Sequence, residues 1–283
     1  MSDSLLPNRT LIVSASCDEG VPTHEHVRVV DGTTPSSIPP HALLLRSLFF
    51  SADPYMRSML KSGRPSSIAP GSPLRGFLVA RVESSTLDEW KEGDVLGASL
   101  PLSTLQVVTD KVLAQTVVWR LTGLVDDARL SFGVGVLGMP GATAWGGLLE
   151  VLRPKAGETL LVTAASGAVG QLVGQLAALR GVRVIGTAGG SAKCALLKSR
   201  FKFDEAIDYK EAAKVGPHEL EARIRAVAPK GLDMVFENVG KETFEVAFKC
   251  LGNGGRIAVC GGIAAYNEAV ESGVNINPLQ MCV

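Results

Sequence analysis

The chain has 283 residues, 46% hydrophobic and 20% charged, with 28 basic and 28 acidic side chains and a formal net charge of +0. That length and mix suit one large or two ordinary globular domains with an apolar core. The neutral balance gives no reason to expect a nucleic-acid or anionic-membrane partner, and no run of 18 uninterrupted apolar residues predicts a membrane span.

The N-terminal stretch MSDSLLPNRTLIVSAS has no basic region leading into an apolar core, so it does not read as a secretory signal. Up to about residue 125, short apolar runs alternate with Pro, Gly and Ser. Ala42–Phe50, Gly76–Val82 and Gln106–Val108 predict strands of a β-rich, barrel-like domain. Residues 62–72 predict an exposed loop, and Lys91–Leu96 a turn entering a strand. His24 and His26 have no cysteine or carboxylate cluster at zinc spacing, and read as solvated loop residues.

The second half alternates strand and helix patterns. Strands are predicted at Thr159–Ala164, Arg183–Thr187, Glu205–Tyr209, Asp233–Glu237 and Arg256–Cys260. Helices are predicted at Ala168–Arg180, Lys193–Arg200, Glu219–Val227 and Glu242–Leu251. Strands separated by helices imply βαβ units and a parallel sheet. Five strands are one short of a full dinucleotide fold, which predicts a sheet truncated at its C-terminal side. The five cysteines are odd in number and widely spaced, so the expectation is a reducing, cytoplasmic setting without disulfides and without zinc.

The run Ala164-x-x-Gly167-x-x-Gly170 follows a predicted strand and opens a predicted helix, the context a dinucleotide fingerprint requires. Missing side chains let the backbone approach a pyrophosphate, and the helix N-terminus offers it N–H groups. Gly174, one turn further on, allows close packing of that helix on the sheet. An NAD enzyme places an acid after the second strand for the ribose 2′-hydroxyl. Here Gly186–Lys193 contains no carboxylate, while Lys193 offers a charge and Ser191 a donor for a 2′-phosphate. NADP(H) is therefore favoured over NAD(H). Asn238, Gly261 and Gly262 fall at the carboxyl ends of the fourth and fifth strands, where ligands of open α/β sheets bind.

Six segments, in order, resemble the zinc-independent prostaglandin reductase and alkenal double-bond reductase family of the medium-chain dehydrogenase/reductase superfamily. They are Asp53–Arg57, Met139–Trp145, Ala164–Gly170, Asp208–Lys210, Glu237–Gly240 and Cys260–Asn267. The resemblance implies an α/β protein: a GroES-like β-barrel domain over residues 1–128, and a Rossmann-type parallel-sheet domain over 129–283 that lacks its last strand and a C-terminal return segment. It implies NADPH-dependent reduction of the carbon–carbon double bond of enals or enones, with a small-molecule substrate and no nucleic acid or membrane; a homodimer stays open.

By position, Gly167, Ala168, Val169 and Gly170 would meet the pyrophosphate. Lys193 and Tyr209 would serve the 2′-phosphate, and Asn238, Cys260, Gly261, Gly262, Ile263 and Tyr266 the rest of the dinucleotide. Tyr266 and Tyr55 would be the catalytic hydrogen-bond donors, and Arg57 would fix its loop. Zinc-dependent relatives have a Gly-His-Glu where this chain has Arg75-Gly76-Phe77, in line with a metal-free site. Lys202 and Lys241 stand where the family tends to have glycine. The alternatives are a quinone reductase of the same superfamily, or a truncated variant that binds nucleotide without turnover.

Overall fold

The computed structural model describes residues 4–269. They divide into two compact units, one running to Met139 and including Asn267–Ala269, the other spanning Pro140–Tyr266. The boundary expected at residue 128 falls inside a 3-10 helix, Asp127–Val134. Leu130 and Val134 of that helix pack with Val79, Val95 and Leu121, which assigns it to the first unit.

In the first unit, β1 (Leu5–Val13) and β2 (Val27–Pro35) form an antiparallel ribbon. Strand β3 (Ala42–Phe50) leads to the short helix α1 (Met56–Met59), then to β4 (Arg75–Ser85), β5 (Val95–Pro101) and β6 (Leu105–Thr109). Helix α2 (Asp110–Ala114) and β7 (Val118–Arg120) complete the set. The sheet is antiparallel in the order β6-β3-β4-β5-β7. Bridges Thr10–Ser103 and Ile12–Pro73 attach the ribbon. Val13, Leu43, Leu45, Leu78, Leu96 and Leu100 share one core, as alternating strand residues turn to the same face. The ribbon is the part the sequence hides: β1 contains Pro7, and β2 is mostly exposed.

In the second unit, α3 (Met139–Trp145) runs into a π-helical turn, Gly146–Leu152. Then follow β8 (Thr159–Val162), α4 (Ala168–Leu179), β9 (Arg183–Ala188), α5 (Ser191–Phe201) and β10 (Glu205–Asp208). Next come α6 (Tyr209–Val215), α7 (Glu219–Val227), β11 (Leu232–Glu237), α8 (Lys241–Lys249) and β12 (Leu251–Val259). The described strands pair in parallel in the order β10-β9-β8-β11-β12. Counted within this unit, that is 3-2-1-4-5, the strand order of a dinucleotide-binding sheet.

Both faces of the sheet are covered, so its strands are near-continuously apolar. Leu160 and Val162 face the cluster holding Val173 and Ala177 of α4, while Leu161 faces Ile224 of α7 and Ala247 of α8. Strand β12 begins at Leu251, earlier than the expected Arg256. Its glycine-rich first half looks like a turn in sequence, and it pairs through a register shift between Leu232 and Met234. Among the described residues, no single helix is long and apolar enough to cross a membrane.

Candidate functional site

The carboxyl end of β8 turns sharply into α4. Ala164 has φ 46°, the left-handed region that a residue with a Cβ adopts only at a cost. A Cβ at Gly170 would lie 2.6 Å from the Ala164 carbonyl oxygen and 2.8 Å from the Ala165 Cα, so only glycine fits. Gly167 caps the helix with no side-chain hydrogen bond. The backbone of Ala168, Val169 and Gly170 in the first turn of α4 therefore forms a bare cradle that suits a pyrophosphate.

The neighbouring strand end adds a polar cluster. Tyr209 and Lys210, which open α6, lie over Gly189 at the end of β9: a Cβ there would meet the Lys210 Cε at 2.9 Å and the Tyr209 hydroxyl at 3.1 Å. Lys193 sits exposed in the first turn of α5. Asp208 and Glu211 are carboxylates at this end, and Glu211 pairs with Lys214 at 2.7 Å. The Asp208 Oδ1 accepts the N–H groups of Gly190 and Lys210, both at 3.0 Å, and these bonds, Gly190 first, hold its pKa below the usual value. The carboxylate thus secures the β9–α5 turn. Lys210 escaped the sequence reading as a site residue because only the fold carries it back over Gly189. A cavity of about 490 Å³ opens beside this cluster, lined by Ser191, Cys194, Asp208 and Glu211.

At the ends of β11 and β12 the expected residues meet, and two further ones organise them. Asn238 donates its backbone N–H to the Thr163 hydroxyl at 2.8 Å and its side-chain amide to the Thr163 carbonyl at 2.7 Å. One donor of the Asn238 amide thus ties β11 to the cofactor turn. The Cys260 and Gly261 N–H groups donate to the Glu237 carbonyl at 2.8 and 3.2 Å, and those of Ile263 and Ala264 to the carbonyls of Asn238 and Val239 at 3.3 and 3.0 Å. Gly262 touches Gly240, whose φ is 81°. Tyr266 follows the 3-10 turn Ile263–Ala265, and its hydroxyl lies over Gly261, 3.3 Å from where a Cβ would stand. Thr163 and Glu237 fall at strand ends, Glu237 within the matching segment Glu237–Gly240, but neither is marked in the sequence as a site residue.

Tyr55 belongs to the first unit, at the N-terminal end of α1. Its ring meets Phe77 edge-on at 6.4 Å, and Phe77 in turn meets Trp119 at a tilt of 53°, centroids 6.0 Å apart. Burial, then the nearby charge of Asp53, pushes the Tyr55 phenol up to about 12. Asp53 is itself raised by burial, and its Oδ2 has no hydrogen-bond partner. Among the described residues no group of three or more His, Cys, Asp or Glu is placed to hold a metal. Arg57 is buried and donates to the Asn267 Oδ1 at 3.0 Å and to the carbonyls of Cys17 and Gly20 at 2.5 and 3.1 Å. Its guanidinium is committed to loop carbonyls and Asn267. A cavity of about 550 Å³ in this unit, along Glu89, Trp90, Asp110 and Lys111, contains none of the expected residues.

Residues 168–281 match the family described as zinc-binding dehydrogenase, and residues 11–116 the N-terminal domain of oxidoreductase. The NADP(+)-dependent 2-alkenal reductase of Nicotiana tabacum is 40% identical over 262 residues, covering 90% of this chain and 73% of the relative. Prostaglandin reductase 1 of Bos taurus is 41% identical over 230 residues, covering 80% and 64%. Among solved structures, CurA of Vibrio vulnificus in complex with NADPH superposes with a TM-score of 0.80 at 34% identity, covering 97% of this chain and 77% of that one.

Proposed function

Because the chain belongs to the alkenal and prostaglandin reductase family of the medium-chain dehydrogenase/reductase superfamily, we infer that it binds NADPH and reduces the carbon–carbon double bond of α,β-unsaturated aldehydes or ketones. Tyr209 and Lys210 over Gly189, with Lys193 in the first turn of the following helix α5, carry the choice of cofactor. Two cations and a phenol suit a 2′-phosphate, while Asp208 is engaged with backbone N–H groups and Glu211 with Lys214. The side-chain-free cradle at Gly167–Gly170 fits the pyrophosphate. Likeness to an NADPH complex and to an NADP(+)-dependent reductase supports the same reading.

The bound nicotinamide would supply a hydride to the β-carbon of the substrate. The protein's own part is to hold donors for the carbonyl oxygen as charge develops there, each worth roughly 3 kcal/mol of barrier. Tyr266 is our first candidate and Tyr55 the second. A phenol with its pKa pushed up to about 12 stays protonated and so remains a donor. NADPH oxidation followed with a 2-alkenal and with a para-quinone tests the reading. We expect turnover of the alkenal with NADPH preferred over NADH. Turnover of the quinone alone would make the chain a quinone reductase, and cofactor binding without turnover of either would make it a nucleotide-binding protein.

A further inference from the structure

Glu237 closes β11 with its side chain wholly buried, 0% exposed. A carboxyl there is costly unless its oxygens are satisfied. Oε1 accepts the N–H of Val239 at 2.6 Å and of Gly240 at 2.7 Å, while Oε2 has no hydrogen-bond partner. Its main-chain carbonyl receives the N–H groups of Cys260 and Gly261. The bent segment 238–240 then accepts Ile263 and Ala264 through its own carbonyls, and Asn238 grips both ends of Thr163. A single residue thus stands behind three strand ends: the cofactor turn after β8, the loop after β11, and the loop after β12 that leads to Tyr266.

We propose that Glu237 is the positioning residue of the cofactor site: its carboxyl bends residues 238–240 inward, and that bend sets where the Cys260–Tyr266 loop lies against the glycine turn. This rests on the NADPH-binding reading above. The role is geometric, so an acceptor of the same length should serve and a shorter one should not. Glu237→Gln keeps an oxygen at the same reach. Glu237→Asp keeps the charge and withdraws it from both N–H groups. The burial that pushes the carboxyl pKa up, against the opposing N–H groups of Gly240 and Val239, makes the uncharged amide the better tolerated of the two.

The test is a fluorescence titration of each full chain with NADPH, well below its melting temperature, together with KM for NADPH and kcat on a 2-alkenal. Glu237→Asp should raise Kd and KM for NADPH about tenfold or more, the size expected when two buried N–H groups lose their acceptor. Glu237→Gln should stay within about threefold of the wild type. If Glu237→Asp does not fold, Thr163→Val, which removes the acceptor for the Asn238 N–H, should weaken NADPH in the same sense. A folded Glu237→Asp with unchanged Kd, or a Gln variant as impaired as the Asp one, overturns the proposal. Failure of the wild-type chain to bind NADPH would instead overturn the functional reading beneath it.

Discussion

The ring of Phe203 occupies the space that any side chain at position 174 would need: a Cβ on Gly174 would stand 2.1 Å from its Cε2 and Cζ. Phe203 is 3% exposed and is pressed on its other side by Gly186, where a Cβ would also come within 2.8 Å. The ring therefore has nowhere to move. Helix α4 lies this close to β9 and to Phe203 because position 174 is bare. In an open helix, Gly→Ala would stabilise by about 1 kcal/mol. Here the clash should outweigh that gain, since overpacking a closed core costs about 1–3 kcal/mol. Gly174→Ala should lower stability in urea denaturation, and Phe203→Leu in the same chain should restore part of it. An alanine variant more stable than wild type would refute the packing argument.

Lys202 ends α5 with φ 62° and ψ 29°, a left-handed helix terminus of the kind glycine usually makes. A side chain there costs about 1 kcal/mol or more. Lys202→Gly removes that cost, less some gain in unfolded-chain entropy. The variant should be more stable by about 0.5 kcal/mol, with NADPH affinity unchanged, in denaturant titrations of both chains. A loss of stability would mean that the lysine stem contributes packing that exceeds the backbone strain.

Position 202 also shows what the sequence makes legible. A lysine in a glycine's place was visible; that the backbone is nonetheless left-handed required the fold. The five strands of the cofactor half were legible because parallel strands buried on both faces read as short apolar runs, and the helix between the first two because Val169, Leu172, Val173, Leu176 and Ala177 recur at helical spacing. The cradle at Gly167–Gly170 was legible because its constraint is local. The Glu237–Val239–Gly240 bend was not, since no apolar pattern marks a carboxyl that turns back on its own loop; nor was the return of Lys210 over Gly189, which needs two strand ends brought together. The β1–β2 ribbon was missed for the opposite reason: most of its residues face solvent and carry no apolar alternation.

Cofactor discrimination should divide between Lys193 and Lys210. Each offers a charged donor at the strand end where a 2′-phosphate would lie. A charge-assisted hydrogen bond is worth about 1.5–3 kcal/mol, reduced by salt at an exposed site such as Lys193. Replacing either by alanine should reduce the ratio of NADPH to NADH affinity about tenfold, and the effect should shrink as salt is raised. Paired titrations of both nucleotides at two salt concentrations decide this. A ratio unmoved in the double variant would take the 2′-phosphate site away from this cluster.

Tyr55 should remain a neutral phenol throughout the range in which a reductase works. Its pKa is raised to about 12, first by burial and then by the negative charge of Asp53. For a group raised in the folded state, the associated stability is fully present below the unfolded value of 10.0 and is lost as the pH climbs through about 12. Alkenal turnover should therefore show no loss traceable to Tyr55 ionisation up to about pH 10. Subtracting the phenolate absorbance titration of Tyr55→Phe from that of the wild type isolates this one ring among three tyrosines. The difference should have its midpoint near 12, and Asp53→Asn should move it down by removing the nearby negative charge. A midpoint at the ordinary value in the wild type would show Tyr55 to be solvated, and would overturn its placement beside Asp53.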